Sequence, residues 1–351
     1  MTISPRRSRV VGVTSSSDHT LAAGRAIPMF VAVALFLATT SLACGSSTLG
    51  SPTATTRTCV YSGDTLSGLR AFDRLVHANI SCVVVFDDAA PDWDAWELPW
   101  FTYNRIANEN WSRFASSPSH QLIITLNLFP SSLNTTAWRS IGATGGYVSH
   151  ARTLARNLVR RGFGHAIIRL AHEANGTWYA DNVGSTRAQW SEWKEFWRQT
   201  VIAMRSVPGA HFSFNWCIAA GYRPIPFSAY YPGNDVVNSI GVDIYDEGLP
   251  SGEPPLGTTR WTYQYDRPGG IGAIVRFARL QHEPLSIPEW GLVPIASGGD
   301  GDDPVFTEGI ARLVRRTDAL FQAYFFAESG ATVLQTAPMS LAIYRADLLQ
   351  R

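Results

Sequence analysis

From Cys59 onward the chain alternates short apolar runs with longer amphipathic ones, and this alternation most constrains its fold. The short runs have the length and composition of buried strands, whereas the longer runs have helical spacing. The predicted strands are 59–61, 82–86, 122–126, 165–170, 211–215, 239–244, 285–288 and 323–326. The predicted helices are 66–76, 103–114, 147–161, 190–204, 271–281, 305–315 and 339–349.

Eight strand–helix units within 59–351 are the pattern of an α/β protein with a single (β/α)8 TIM barrel. The connection after Asn215 is rich in Gly and Pro, and no helix is clear there. The alternative is a doubly wound sheet. No Gly-rich phosphate loop follows the first strand, which disfavours that alternative. We see no internal repeat and no boundary for a second domain.

The N-terminus has the pattern of an export signal. Arginines including Arg6 and Arg7 precede an apolar run over 29–38, which is too short to span a bilayer comfortably. Small residues follow at 41–43, so we predict a signal peptide over 1–43. No second apolar run of spanning length follows it. We therefore expect an extracytoplasmic protein.

A segment rich in Ser, Thr, Gly and Pro follows the predicted cleavage point and has the composition of a flexible linker, over 44–58. Cys44 directly after the signal leaves two alternatives open. The protein is either a lipoprotein, with a lipid on Cys44 as its only membrane contact, or freely secreted. The 351-residue chain has a single lysine, Lys194, among 29 basic residues, which indicates a GC-rich bacterial genome.

The net charge of +1 offers no basic face for nucleic-acid phosphates, so we expect no nucleic-acid partner. His172-Glu173 lacks the second histidine of a zinc motif, and 300–303 lacks the spaced Gly and closing Glu of a calcium loop. We therefore expect no metal and no cofactor. We also expect a monomer.

Three cysteines remain beyond Cys44. Cys59 and Cys82 begin consecutive predicted strands, whose starts lie side by side in a parallel sheet. A disulfide between them is geometrically reasonable in an oxidising compartment, and two buried free thiols are the alternative. Cys217 lies in an apolar segment, and we interpret it as an inert core residue.

Two glutamates come just after predicted apolar strands. The reactive groups of a (β/α)8 barrel lie at these C-terminal ends of the strands. Glu173 comes just after the fourth predicted strand, beside His172, and Glu289 comes just after the seventh. These strands are on opposite sides of an eight-strand ring, so the two side chains can face each other. Glycoside hydrolysis needs such a pair, one carboxyl protonated and one ionised. A surface charge or an ion pair is the structural alternative for each.

The segment 169–179, Arg-Leu-Ala-His-Glu-Ala-Asn-Gly-Thr-Trp-Tyr, resembles the strand-four motif of glycoside hydrolase family 26. This is a family of endo-β-mannanases, with some β-1,3-xylanases and mixed-linkage β-glucanases. The segment 286–291, Ser-Ile-Pro-Glu-Trp-Gly, resembles the segment that holds its nucleophile. The region 231–246 resembles the strand-six region. The resemblance implies a retaining (β/α)8 enzyme that acts on a polysaccharide by double displacement.

The resemblance also implies roles for individual residues. Glu173 would be the acid/base, Glu289 the nucleophile, and Tyr245 a hydrogen-bond donor to the nucleophile. Arg169 and His172 would orient the carboxylates, and Trp178 would pack against the bound sugar. We add Trp216 and Trp290 as sugar-binding candidates, because each indole lies near the end of a strand, at positions where aromatic rings can stack on sugars.

These observations predict an exported endo-β-glycosidase, with β-1,4-mannan as the expected substrate. Three alternatives stay open at this point. One is a catalytically silent barrel that binds polysaccharide at the cell envelope. The others are a β-1,3-xylanase or β-glucanase, and a hydrolase of an envelope glycan.

Overall fold

The computed structural model describes residues 56–87, 89–103, 110–133, 135–223, 225–247, 254–326 and 333–349. The predicted signal peptide, Cys44 and most of the predicted linker lie outside the described residues. Residues 56–58, which the sequence assigns to the linker, are described, and Arg57 begins the first strand. Among the helices that the structure describes, none combines the length and the apolar character needed to cross a bilayer.

Eight parallel strands close into a barrel, and each strand pairs with the next along the chain. The last strand pairs with the first, which completes the ring. The predicted (β/α)8 barrel is therefore confirmed. The strands are β1 (Arg57–Tyr61), β2 (Cys82–Asp87), β3 (Gln121–Leu126), β4 (Ile167–Leu170), β5 (Ser213–Ala219), β6 (Ser239–Tyr245), β7 (Leu285–Gly291) and β8 (Phe321–Phe325).

Helices surround the barrel, so both faces of each strand are covered, and most strand residues are buried. The helices are α1 (Leu66–Val76), α2 (Trp93–Glu97), α3 (Trp111–Ala115), α4 (Trp138–Ala143), α5 (Val148–Arg160), α6 (Arg187–Arg205), α7 (Phe227–Tyr230), α8 (Arg260–Asp266), α9 (Ile271–Gln281), α10 (Pro304–Thr317) and α11 (Pro338–Ile343). Single turns of 3₁₀ helix lie at Trp100–Thr102, Ile295–Ser297 and Leu334–Thr336, and a π-helical turn at Tyr344–Leu348 follows α11.

The predicted helix over 103–114 is confirmed only at its C-terminal end, where α3 spans Trp111–Ala115. A 3₁₀ turn ends at Thr102, and α3 begins only at Trp111. The Asn110 side chain accepts a hydrogen bond from the backbone N–H of Arg113 at 2.8 Å, which fixes the start of the helix there. Residues 104–109, in the middle of the predicted helix, lie outside the described residues.

Aromatic side chains of α6, the helix after β4, lie in the core. Trp193 and Trp197 on α6 have no exposed surface. Trp197 donates its indole N–H to the carbonyl of Leu170 at 3.0 Å. Since Leu170 is the last residue of β4, the helix holds the strand end from which the site begins.

Cys59 and Cys82 form a disulfide in the structure, so the alternative of two free thiols does not hold. Both lie in a small cluster that fills the barrel interior with Val84, Ile123 and Phe321. The bond spans 23 residues of sequence and ties the middle of β1 to the start of β2. In the chain-entropy account, such a loop contributes about 3 kcal/mol to the free energy of unfolding.

Candidate active site

Glu173 and Glu289 line one cavity of about 430 Å³ at the C-terminal end of the barrel. Glu289 belongs to β7, and Glu173 lies three residues after the end of β4. We call this space the acid-side cavity, after Glu173. The structure thus brings the two predicted carboxyl groups together at the end of the barrel where reactive groups lie.

Protein donors hold both carboxylate oxygens of Glu289. Tyr245 Oη donates to Oε1 at 2.6 Å, and Arg169 Nη1 donates to Oε2 at 2.9 Å. Tyr245 ends the neighbouring strand β6, and Arg169 reaches across the barrel from β4. Burial and the charge of Glu289 raise the pKa of Tyr245 well above its usual range, so the phenol stays protonated and keeps donating. The carboxylate is therefore fixed and stabilised as an anion.

A buried network lies beneath Glu289. The second guanidinium nitrogen of Arg169 donates to Asp243, and the Cys217 thiol donates to the other Asp243 oxygen at 3.1 Å. Burial raises the pKa of Asp243 to about 7, although the positive charge of Arg169 opposes this. The prediction that Cys217 is buried is confirmed, but its thiol contacts the network instead of packing inertly.

Sequence reasoning gave Asp243 no role, although a signal was present. Side chains alternate between the two faces of a strand, so Asp243 shares the face of Tyr245 two residues later. Once Tyr245 is placed at the site, Asp243 follows beneath it. It supplies the second carboxylate that a fully buried Arg169 needs.

Glu173 sits in a different electrostatic environment. Burial raises its pKa well above its usual range, and the nearby carboxylates of Asp243 and Glu289 raise it further. Arg169 and a hydrogen bond from Trp178 oppose this rise. The Trp178 indole N–H donates to Glu173 Oε2 at 2.7 Å, and an acid proton would therefore sit on Oε1. The group is thereby suited to act as a general acid.

The backbone that carries Glu173 is bent and held. Ala171 and Glu173 have φ of 49° and 51°, in the left-handed region that non-glycine residues seldom adopt. Glu173 N–H donates to the carbonyl of Cys217 at 3.1 Å. The Asn175 amide bonds both the N–H and the carbonyl of Ala219. Such locally strained backbone, fixed by its surroundings, is typical of functional sites.

The structure gives His172 a different role from the one expected. The ring is buried between Phe86 and Tyr179, with centroid distances of 5.6 and 4.3 Å. Neither ring nitrogen has a hydrogen-bond partner among the described residues. Burial and the charge of Arg169 lower the pKa of His172, so the ring is neutral. It therefore supports the strand end by packing and does not orient either carboxylate through a hydrogen bond.

Trp216 and Trp290 do not reach the cavity, which corrects the expectation that they bind sugar. Trp216 is 1% exposed and packs against Tyr230, Tyr231 and Phe277 outside the barrel wall. Trp290 has no exposed surface and donates its indole N–H to Gln322 at 2.6 Å. The reason is the alternation of side chains along a strand, since Glu289 faces the cavity and its neighbour must face the helices.

Trp178 lies where it was expected. It is 46% exposed and lines the acid-side cavity. Tyr222 meets it edge-on, with ring centroids 4.6 Å apart. An exposed indole beside a carboxylic acid can stack on a sugar ring and also orient the acid.

A second space of about 590 Å³ adjoins the first and shares Glu289 and Phe325 with it. We call it the far-side cavity, and Glu173 is not among its lining residues. Its polar and aromatic lining includes Trp100 and six residues that sequence reasoning did not single out: Tyr61, Asp64, Phe86, Asp87, Tyr103 and Tyr179. Phe325 stacks on Tyr61 with ring centroids 4.4 Å apart. The cleft therefore extends to both sides of Glu289.

The model of Glycosyl hydrolase family 26 matches residues 133–253 of the chain. The matched segment carries Arg169, Glu173 and Tyr245, whereas Glu289 lies after it. No curated protein sequence matches the chain.

Solved structures of low sequence identity share the fold. A family 26 β-mannanase from Bacteroides ovatus is similar with a TM-score of 0.60 at 11% identity, over 84% of this chain and 90% of that one. A mannanase from Bacillus subtilis has a TM-score of 0.57 at 13% identity, over 84% and 85%. An endo-β-1,4-mannanase from Cellulomonas fimi has a TM-score of 0.57 at 12% identity, over 85% and 71%. The segment that carries Glu173 thus matches the family 26 model, and the solved mannanases share the barrel fold of this chain.

Proposed function

We propose that the protein is an exported, retaining endo-β-glycosidase that hydrolyses β-1,4-mannan. The observation that carries the proposal is the contrast between two carboxyl groups in one cavity. Glu289 is held by a phenol and a guanidinium, both of which favour its anion. Glu173 is partly buried beside other carboxylates, and its pKa is raised. Environments that separate two carboxyl groups in this way assign the acid and the anion.

In the proposed reaction Glu289 attacks the anomeric carbon while Glu173 gives its proton to the departing oxygen. Water then attacks the glycosyl-enzyme, and Glu173 takes a proton from that water. Tyr245 and Arg169 hold the attacking carboxylate in place throughout. The two displacements together retain the configuration of the sugar.

Three further observations support the finer parts of the proposal. The cleft continues on both sides of Glu289, as cleavage within a polymer requires. The Cys59–Cys82 disulfide is typical of proteins that fold outside the reducing cytoplasm, in agreement with the predicted signal peptide. The names of the structurally similar enzymes favour mannan as the substrate.

The proposal is tested by measuring product release from soluble β-mannan, β-1,3-xylan and mixed-linkage β-glucan. The assay uses the full chain as its host secretes it, and the Glu289→Ala variant is measured in the same way. We expect release from β-mannan that the variant loses. Proton NMR of the first product should show the β-anomer before mutarotation. Release that survives Glu289→Ala, or an initial α-anomer, would refute the assigned mechanism.

A further inference from the structure

Glu247 lines the acid-side cavity but takes no part in the proposed chemistry. It follows β6 by two residues and lies on the wall that also carries Tyr222. Tyr222 Oη donates to Glu247 Oε1 at 3.2 Å. Burial raises the pKa of Glu247, although this hydrogen bond and the charge of Arg260 lower it.

The backbone of Glu247 is fixed from two sides. The Gln264 side-chain amide donates to the carbonyls of Tyr245 and Glu247, at 3.1 and 3.4 Å. Glu247 also forms an isolated antiparallel bridge with Gly299, in the loop after β7. The side chain is therefore presented to the cavity from a rigid support. Its Oε2 accepts no hydrogen bond from any residue that the structure describes.

The side of the cleft on which Glu247 lies identifies the part of the substrate that it can contact. This step rests on the proposed function, because it uses Glu173 as the acid. An acid must reach the oxygen of the leaving group, and Glu173 lines only one of the two cavities. The leaving sugar therefore occupies the acid-side cavity, next to Glu247.

The composition of this wall indicates the chemistry of that sugar. Trp178 offers a half-exposed apolar face, and Tyr222 stands edge-on beside it. Four carboxyl groups line the cavity, those of Glu173, Asp243, Glu247 and Glu289, and no basic side chain does so among the described residues. An acidic sugar would find no countercharge on this wall, whereas hydroxyl groups would find carboxyl oxygens as acceptors.

We infer that Glu247, held by Tyr222, is a specificity-determining residue that binds the hydroxyl groups of a neutral leaving sugar and disfavours a uronic acid in that position. Trp178 supplies the stacking surface for the same sugar. The inference deepens the proposed function by naming the chemical class accepted on the leaving-group side.

Binding measurements test the inference without depending on turnover. Calorimetry in the Glu289→Ala background would use mannohexaose and an oligomannuronate of equal length as probes. We expect Glu247→Ala to weaken mannohexaose binding by about 10- to 100-fold, as for the loss of hydrogen bonds to a charged group. Glu247→Gln should lower the ratio of the affinity for mannohexaose to the affinity for the oligomannuronate, because it removes a negative charge from the cavity wall. The exposed Glu308 on α10 supplies the matched control, since Glu308→Ala should bind like the parent.

Kinetics separate the inference from the proposed function. In the active enzyme, an added mannose oligosaccharide competes with water for the glycosyl-enzyme. Because this acceptor binds on the leaving-group side, Glu247→Ala should lower the ratio of transglycosylation to hydrolysis. A wild type that binds mannohexaose but hydrolyses nothing would refute the proposed function alone. Unchanged mannohexaose binding by Glu247→Ala, absence of binding by the parent, or equal affinity of the parent for both probes would overturn the inference.

Discussion

Removal of the hydrogen bond from Tyr245 to Glu289 tests how the proposed nucleophile is held. Tyr245→Phe removes one of the two protein donors to Glu289 and leaves the ring beside Phe325. A hydrogen bond to a charged group contributes about 1.5–3 kcal/mol. Only 12% of the Glu289 side chain is exposed, so water cannot fully replace the lost donor. The upper part of the range applies, and kcat should fall roughly 30- to 150-fold.

The assay compares kcat and KM on β-mannan and on an aryl β-mannoside with a good leaving group. Both substrates should lose kcat by a similar factor, because Glu289 attacks in both reactions. Tyr265→Phe is the matched control, since that ring packs against Trp261 on α8. Wild-type kcat in Tyr245→Phe would refute the reasoning, as would a loss confined to KM.

Three further predictions follow from described contacts. Glu173→Gln should lower kcat/KM on mannan by about 100- to 10,000-fold and spare aryl glycosides with good leaving groups, and equal losses in a leaving-group series would contradict the acid role. The Trp178 hydrogen bond favours ionised Glu173, so Trp178→Phe should raise the pKa of Glu173 and move the alkaline limb of the kcat/KM–pH profile to higher pH. A shift of this limb to lower pH would contradict the prediction. Replacing Cys59 and Cys82 by Ser should lower the free energy of unfolding in urea by about 3 kcal/mol, and no change would show that the cross-link contributes nothing.

The barrel could be predicted from the sequence because each strand is a mostly apolar run that a helix or a turn separates from the next strand. Strands buried on both faces have this composition, and eight of them in order leave few topologies. The helix predicted over 103–114 begins later in the structure, at Trp111, for a local reason. Its apolar spacing suggested a helix, whereas the capping side chain of Asn110 sets the actual start.

The positions of Glu173 and Glu289, the proposed catalytic pair, were predictable because each lies at or just after the end of a strand. The outward orientation of Trp216 and Trp290 could also have been predicted, because side chains alternate between the two faces of a strand. Cys217 faces Asp243 inside the barrel, so Trp216 must face outward. The contact between Tyr222 and Glu247 lay beyond sequence reasoning, because it joins two loops whose paths no periodicity determines.

The pairing of β1 with β8 links the two ends of the described barrel. Five consecutive residue pairs join the strands, from Arg57 opposite Phe321 to Tyr61 opposite Phe325. A chain that stops before Phe321 would leave β1 and β7 with unpaired edges, and open edges template aggregation. A chain that begins at Thr56 would keep all eight strands. Proteolysis and truncation should therefore be tolerated before the barrel and be damaging within its last strand.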